Sequence, residues 1–218
     1  MDLTQELLKV KAHFRSQVPE DIKARMDQAT SDLIHSGLAE SSPQAGDILP
    51  GFALPNAAGE TVKFSTLLVQ GPVVISFYRG GWCPYCNLEL RALQEILPDI
   101  EAKGAQLVAI SPETPDNSLS TQEKNDLTFQ VLSDEGNRYA KDLGLVFTLP
   151  ADLRPIYANF GIDLTAHNGN KSFELPLPAT YVVAPSGEII LAFASADYTE
   201  RLALQDILNA LDRVPVGS

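Results

Sequence analysis

The two cysteines of the 218-residue chain, Cys83 and Cys86, are separated only by Pro84 and Tyr85. A bond between them closes a very small loop and restricts the unfolded chain little, so a structural staple is a poor use for the pair. A thiolate is a nucleophile, and a second nearby thiol can displace whatever the first has bonded to. The spacing therefore suits a dithiol that cycles through a disulfide. Metal binding fits less well: a zinc site takes about four ligands, and the other soft donors, His13, His35 and His167, are scattered along the chain. A c-type haem would need His directly after the second thiol, where Asn87 stands. No metal and no cofactor are expected.

The flanking sequence indicates how such a thiol would be activated. The run 73–78, Val-Val-Ile-Ser-Phe-Tyr, is short, β-branched and aromatic, as a strand buried on both faces is. Gly80 and Gly81 turn the chain, and from Pro84 the apolar period becomes helical, with Leu90, Leu93, Leu97 and Ile100 on one face and a stop near Gly104. Pro84 suits a first helical turn, and Pro98 predicts a kink. Unpaired N–H groups and the positive end of the helix dipole stabilise a thiolate. In Cys-X-X-Cys sites they lower a thiol from about 8.5 to roughly 3.5–7.5.

Further elements must hold this turn in place. Strands are expected at 52–54, 61–64, 106–110, 129–132, 180–184 and 188–193. Helices are expected at 117–124, 137–143 and 151–160 and around Leu204, Ile207, Leu208 and Leu211, with Ser65 capping a short helical turn. This alternation favours an α/β sheet with a parallel core and helices on both faces. Residues 1–39 read as two amphipathic helices broken near Pro19 that cover the main domain or a partner subunit. A linker rich in Ser, Pro and Gly follows at 41–47, so the organisation is a helical extension and linker, 1–45, and a domain, 46–218. Glu113, Asp116 and Asp134 fall in loops, where charge is expected to be solvated.

Charge narrows the partners. With 28 acidic against 16 basic side chains, a net charge of -12 and no Lys/Arg cluster, the chain would repel a phosphate backbone, and nucleic acid is not an expected partner. No apolar run approaches the roughly 18 residues of a membrane helix. The start carries Asp2 and Glu6 rather than a basic-then-apolar leader. The expected compartment is the cytosol, without membrane association. Thiols there are kept reduced, and a close pair reads as catalytic before it reads as structural.

The segment Trp82-Cys83-Pro84-Tyr85-Cys86 resembles the redox-active site of the thioredoxin superfamily. Its wider context is similar to the AhpC/TSA group, the peroxiredoxins and peroxiredoxin-like proteins. In that pattern Phe77-Tyr78 match, Arg79 stands where Pro is usual, Cys83 replaces a Thr, Cys86 takes the peroxidatic place and Glu89 matches a Glu. Gly46-Asp-Ile-Leu-Pro50, Ile110-Ser-Pro112 and Thr180-Tyr-Val-Val183 extend the resemblance from about Gly46 to Arg213. It implies a thioredoxin-like fold, a central mixed sheet flanked by helices, carrying the N-terminal helical extension. It implies a thiol-dependent peroxidase that reduces hydrogen peroxide or organic hydroperoxides through a Cys83/Cys86 cycle, is recycled by thioredoxin or a similar reductant, and pairs as a homodimer.

The resemblance also distributes roles. Peroxiredoxin alignment makes Cys86 the attacking thiol, oxidised to a sulfenic acid and resolved by Cys83, whereas thioredoxin alignment makes Cys83 the nucleophile; the first is preferred. Arg79, Trp82, Glu89 and Pro178 are the supporting residues, Trp82 and Tyr85 shielding the thiols. Pro178 resembles the cis-proline that faces the thioredoxin dithiol, and it stands near where peroxiredoxins carry a second Arg. Arg79, Arg154 and Arg201 are the candidates for the missing cation. Two other readings follow from the same residues: a thiol-disulfide oxidoreductase acting on proteins, and a non-enzymatic redox sensor that switches a partner surface.

Overall fold

Polar, helix-permissive sequence opens the chain. In the computed structural model, which describes residues 2–214, it forms α1 (Leu3–Gln17) and α2 (Glu20–His35), divided at Val18-Pro19. Asp2 caps α1, its carboxylate accepting the Gln5 N–H. After the linker, β1 (Ala53–Pro55) and β2 (Thr61–Lys63) form an antiparallel hairpin that runs into α3 (Phe64–Gln70). Next come β3 (Val73–Phe77), α4 (Pro84–Ala102), β4 (Gln106–Ser111), α5 (Pro115–Lys124), β5 (Gln130–Ser133) and α6 (Arg138–Asp142). The chain continues through β6 (Val146–Thr148), α7 (Arg154–Asn159), α8 (Leu164–Asn168), β7 (Glu174–Pro176), β8 (Ala179–Val183), β9 (Ile189–Ala194) and α9 (Leu204–Leu211).

The main sheet has the order β5-β4-β3-β8-β9. β3, β4 and β5 run parallel, and β8 and β9 are antiparallel to their neighbours, so the sheet is mixed about a parallel core. Strand alternation sends Val73, Ile75 and Phe77 to one face, where they meet Phe64 and Leu67 of α3 and Tyr139 of α6. Val74 points to the other face, against Leu90 and Leu93 of α4 and Ile207 of α9. Each face is thus covered by helices, as the alternation predicts.

The first helix covers its own chain: Leu3 and Leu7 are buried in the cluster built on α4. Leu8 on the same helix stays exposed. Met26 of α2 packs with Leu149, Leu153, Ile156 and Tyr157, and Arg15 ties the two helices together through both carboxylate oxygens of Asp27. No described helix is long and apolar enough to cross a membrane.

Three local expectations change. Ser65, expected to cap a short helical turn, lies inside α3, whose N-cap is Lys63. The β6/β7 pair is absent from the sequence reading because each strand has three residues and the pairing joins Val146 to the distant Pro176. The short α8 was likewise not foreseen, although Asp163 caps it by accepting the Ala166 N–H.

Candidate active site

The site begins where β3 ends. Tyr78 still donates its N–H to the Ile110 carbonyl at 3.0 Å, and the chain then leaves the sheet through Arg79, Gly80 and Gly81. Gly80 has φ 151°, and a Cβ there would collide with the Trp82 indole; a Cβ on Gly81 would collide with the Thr121 hydroxyl. The Gly81 peptide is fixed from both sides. Its N–H donates to the Glu113 carboxylate at 3.0 Å, and its carbonyl accepts from Asn87 Nδ2 at 2.8 Å and Lys124 Nζ at 3.3 Å.

Glu113 corrects a sequence expectation. It is 1% exposed, not solvated, and it also accepts from Thr121 Oγ1 at 3.1 Å, with His167 Nδ1 at 3.2 Å. Asp134 is equally buried, its carboxylate accepting the backbone N–H groups of Tyr139 and Ala140 at the start of α6. Asp116, in the first turn of α5, is exposed as expected. Buried carboxylates need partners, and here the partners are backbone N–H groups and hydroxyls that no local pattern reveals.

Cys83 occupies the N-cap of α4 and Cys86 its first turn; both are free thiols with almost no solvent exposure. Two guanidinium groups flank them. Arg201 reaches Cys86 Sγ with Nη2 at 3.3 Å, bonds the Glu89 carboxylate through Nε, and is anchored by the Tyr198 carbonyl at 2.9 Å. Arg79 shares a small space with Cys83. Its Nη2 donates to the Tyr157 hydroxyl at 2.5 Å, and its guanidinium lies over the rings of Trp82, Tyr157 and Tyr198 at 5.1, 5.8 and 4.7 Å.

These charges divide the two thiols. Burial alone would raise Cys83, but the hydrogen bond from Cys86 and the charges of Arg79 and Arg201 outweigh it and bring Cys83 down to about 6. Cys86 is pushed well above the ordinary thiol range by burial, by its hydrogen bond to Cys83 and by the charge forming there, against the pull of Arg201 and Arg79. Glu89 is raised to about 7 by burial, with Arg201 opposing the shift. The arrangement therefore holds one thiolate, one thiol that donates to it, and a carboxyl group able to exchange a proton near neutral pH.

Of the six residues singled out from the sequence, Cys83, Cys86, Arg79, Trp82 and Glu89 converge on this turn. Pro178 lies beside Arg79 in the wall of a larger cavity. No described peptide is cis, so the Leu177-Pro178 bond is trans and the likeness to a thioredoxin cis-proline does not extend to its isomer. Among the candidate cations, Arg201 and Arg79 take the two sides of the thiol pair. Arg154 does not, since it stacks on Phe173 at 4.3 Å and bonds the Leu149 carbonyl. Sequence reasoning missed Glu113, Asn87, Tyr157 and Tyr198. Tyr157 and Tyr198 are contributed by distant loops and helices, and only the Gly80-Gly81 pair hinted that neighbouring groups crowd the turn.

A mixed sheet with a Cys-X-X-Cys pair at a strand-to-helix turn defines a protein of thioredoxin-like fold. Solved structures agree on the fold: peroxidoxin BcpB of Mycobacterium tuberculosis superposes with TM-score 0.62 at 20% identity, over 79% of this chain and 99% of that one. Peroxiredoxin 6 of Arenicola marina gives TM-score 0.60 at 18% identity, over 78% and 72%. Residues 45–192 match the profile of the AhpC/TSA family, and the chain belongs to it. Among curated relatives, peroxiredoxin Bcp of Escherichia coli is 30% identical over 102 residues, 47% of this chain and 65% of that protein. The chloroplastic peroxiredoxin Q of Populus jackii is 33% identical over 108 residues, 50% and 48%. The match thus spans about half to two-thirds of the length of these relatives.

Proposed function

We propose that the protein is a dithiol peroxidase that reduces hydroperoxides through a Cys83/Cys86 disulfide. The observation that carries this reading is the pair of thiols held at the N-terminus of α4 between two guanidinium groups. The thiolate attacks the distal oxygen of the hydroperoxide and breaks the O–O bond. With one proton taken up, the products are an alcohol, or water from hydrogen peroxide, and a sulfenic acid. The second thiol attacks that sulfur, expels water and closes the disulfide; two electrons have passed from the sulfurs to the peroxide. A thioredoxin-type dithiol then returns both thiols, as the cytosolic pool of such reductants would permit.

The Cys86 assignment that alignment suggests is supported by the Arg201 Nη2 contact on its sulfur at 3.3 Å; two observations favour Cys83 as the attacking thiol instead. Cys83 lines a space that a small electrophile could enter, whereas Cys86 lines none of the described cavities. Cys83 is also the thiol that its hydrogen bond from Cys86 and the charges of Arg79 and Arg201 pull down. Arg201 then positions Cys86 for resolution, with Glu89 beside it to accept the proton. Stopped-flow oxidation by hydrogen peroxide and by cumene hydroperoxide tests the reading. The expected result is a rate well above that of free cysteine thiolate, lost in Cys83→Ser, with Cys86→Ser trapping a sulfenic acid. A rate no faster than free thiol would sink it.

The second reading is a protein thiol-disulfide oxidoreductase, favoured by the lowered thiol at a helix N-cap. Rapid insulin reduction together with slow peroxide oxidation would establish it instead.

A further inference from the structure

The two arginines differ in what neutralises them. Arg201 has the Glu89 carboxylate, whereas Arg79, only 2% exposed, pairs with no carboxylate among the described residues. Its Nε is buried without an acceptor, and beyond the Tyr157 hydroxyl its surroundings are aromatic faces. A buried cation needs a counter-charge. In the reduced protein the thiolate of the Cys83/Cys86 pair supplies it. In the disulfide form both sulfurs are uncharged, and the guanidinium is left with rings and one phenol.

On its other side Arg79 lines a cavity of about 530 Å³ between α2 and the 147–153 segment, within the range that takes a small organic ligand. Most of the wall is apolar, including Met26, Leu33, Phe147, Leu153 and Leu177. The rim carries Arg25 against Asp32 and Asp152, a net negative charge screened by solvent at these exposed positions, so attraction for an anion falls to Arg79 at the buried end. We propose that this cavity binds an amphiphilic monocarboxylate, head group on Arg79 and apolar body against α2, and that it binds the disulfide form in preference to the dithiol form.

The preference follows from charge. In the dithiol form an incoming carboxylate competes with a thiolate for one guanidinium in a medium where like charges repel strongly. Oxidation removes the competitor. Linkage makes the effect reciprocal: a ligand that favours the disulfide makes that disulfide harder to reduce. The inference rests on the Cys83/Cys86 couple alone and not on the peroxidase step, so it survives if the protein turns out to reduce protein disulfides.

The test uses the full chain, either reduced with dithiothreitol or oxidised to the disulfide with diamide, and titrates each form with sodium decanoate by calorimetry at pH 7.5. Binding to the disulfide form about tenfold or more tighter than to the dithiol form is expected, with decanol weaker and indifferent to redox state. A tenfold preference lowers the reduction potential of the couple by about 30 mV at saturating decanoate. Arg79→Gln should abolish the preference. Ala29→Trp, which fills the cavity from α2 without touching the thiols, should abolish binding to both forms while circular dichroism stays native. Equal affinity for both forms, decanol binding as well as decanoate, or decanoate binding undiminished in Ala29→Trp would each overturn the proposal.

Discussion

The two guanidinium groups that flank the thiols solve the same problem in opposite ways. Arg201 forms a closed unit: its side chain is 1% exposed, Glu89 balances its charge, and backbone carbonyls of Tyr198 and Glu200 take further N–H groups. Arg79 forms an open one, held over three aromatic rings with a single phenol as hydrogen-bond partner and a cavity on either side. The closed unit touches Cys86 and the open one adjoins Cys83. A group that must stay fixed while bonds are exchanged benefits from a satisfied pair. A group that must meet a variable partner benefits from an unfilled valence.

The largest effect should come from the thiols themselves. Cys83→Ser is expected to drop peroxide consumption to background, while Cys86→Ser keeps the first oxidation and loses only disulfide closure, read by mass spectrometry as a trapped sulfenic acid. Reversal of these two phenotypes would move the attacking role to the closed side. Next, Arg201→Met strands the buried Glu89 carboxylate once the pH is above its value of about 7, and should cost about 3–5 kcal/mol in urea denaturation at pH 8. Adding Glu89→Leu should recover much of that loss, because the penalty lies in the unpaired charge rather than in the absent bridge.

Arg79→Met leaves no carboxylate stranded, and its cost should be smaller, about 1–2 kcal/mol from lost ring contacts and packing. It should also move the midpoint of Cys83 alkylation by iodoacetamide upward, because the Arg79 charge helps to hold that thiol down. Equal destabilisation by the two arginine variants would erase the distinction between closed and open units. The smallest effect concerns pH. Glu89 is raised from 4.5 to about 7 in the fold, so its contribution to stability is present below pH 4.5 and is lost as pH rises through 7. Glu89→Gln should flatten that decline, measured as urea midpoints between pH 4.5 and 8.

Much of this was legible before any coordinates. The β-branched run that became β3, the Gly80-Gly81 turn and the helical period after Pro84 are local patterns, and local patterns report local structure. The dithiol, Trp82 and Glu89 followed with them. Glu113 misled because a carboxylate in a loop looks solvated until the Gly81 N–H and the Thr121 hydroxyl are brought to it. Pro178 stayed open on sequence because a motif shared with thioredoxins does not fix the isomer of one peptide bond.

The amino-acid sequence alone carried the dithiol reading on which the proposed function rests, since two thiols at that spacing on a strand-to-helix turn suit redox exchange. It also determined the sheet and its helical layers, because period and β-branching act between neighbours. Tertiary structure alone decided which charges reach which sulfur. Arg79 and Arg201 were both candidates on paper, but one stands next to the dithiol in the chain and the other more than a hundred residues away. Only folding could set one against Glu89 and Cys86 and leave the other facing Cys83 without a carboxylate. Electrostatics acts through space, and a linear sequence carries no record of that distance.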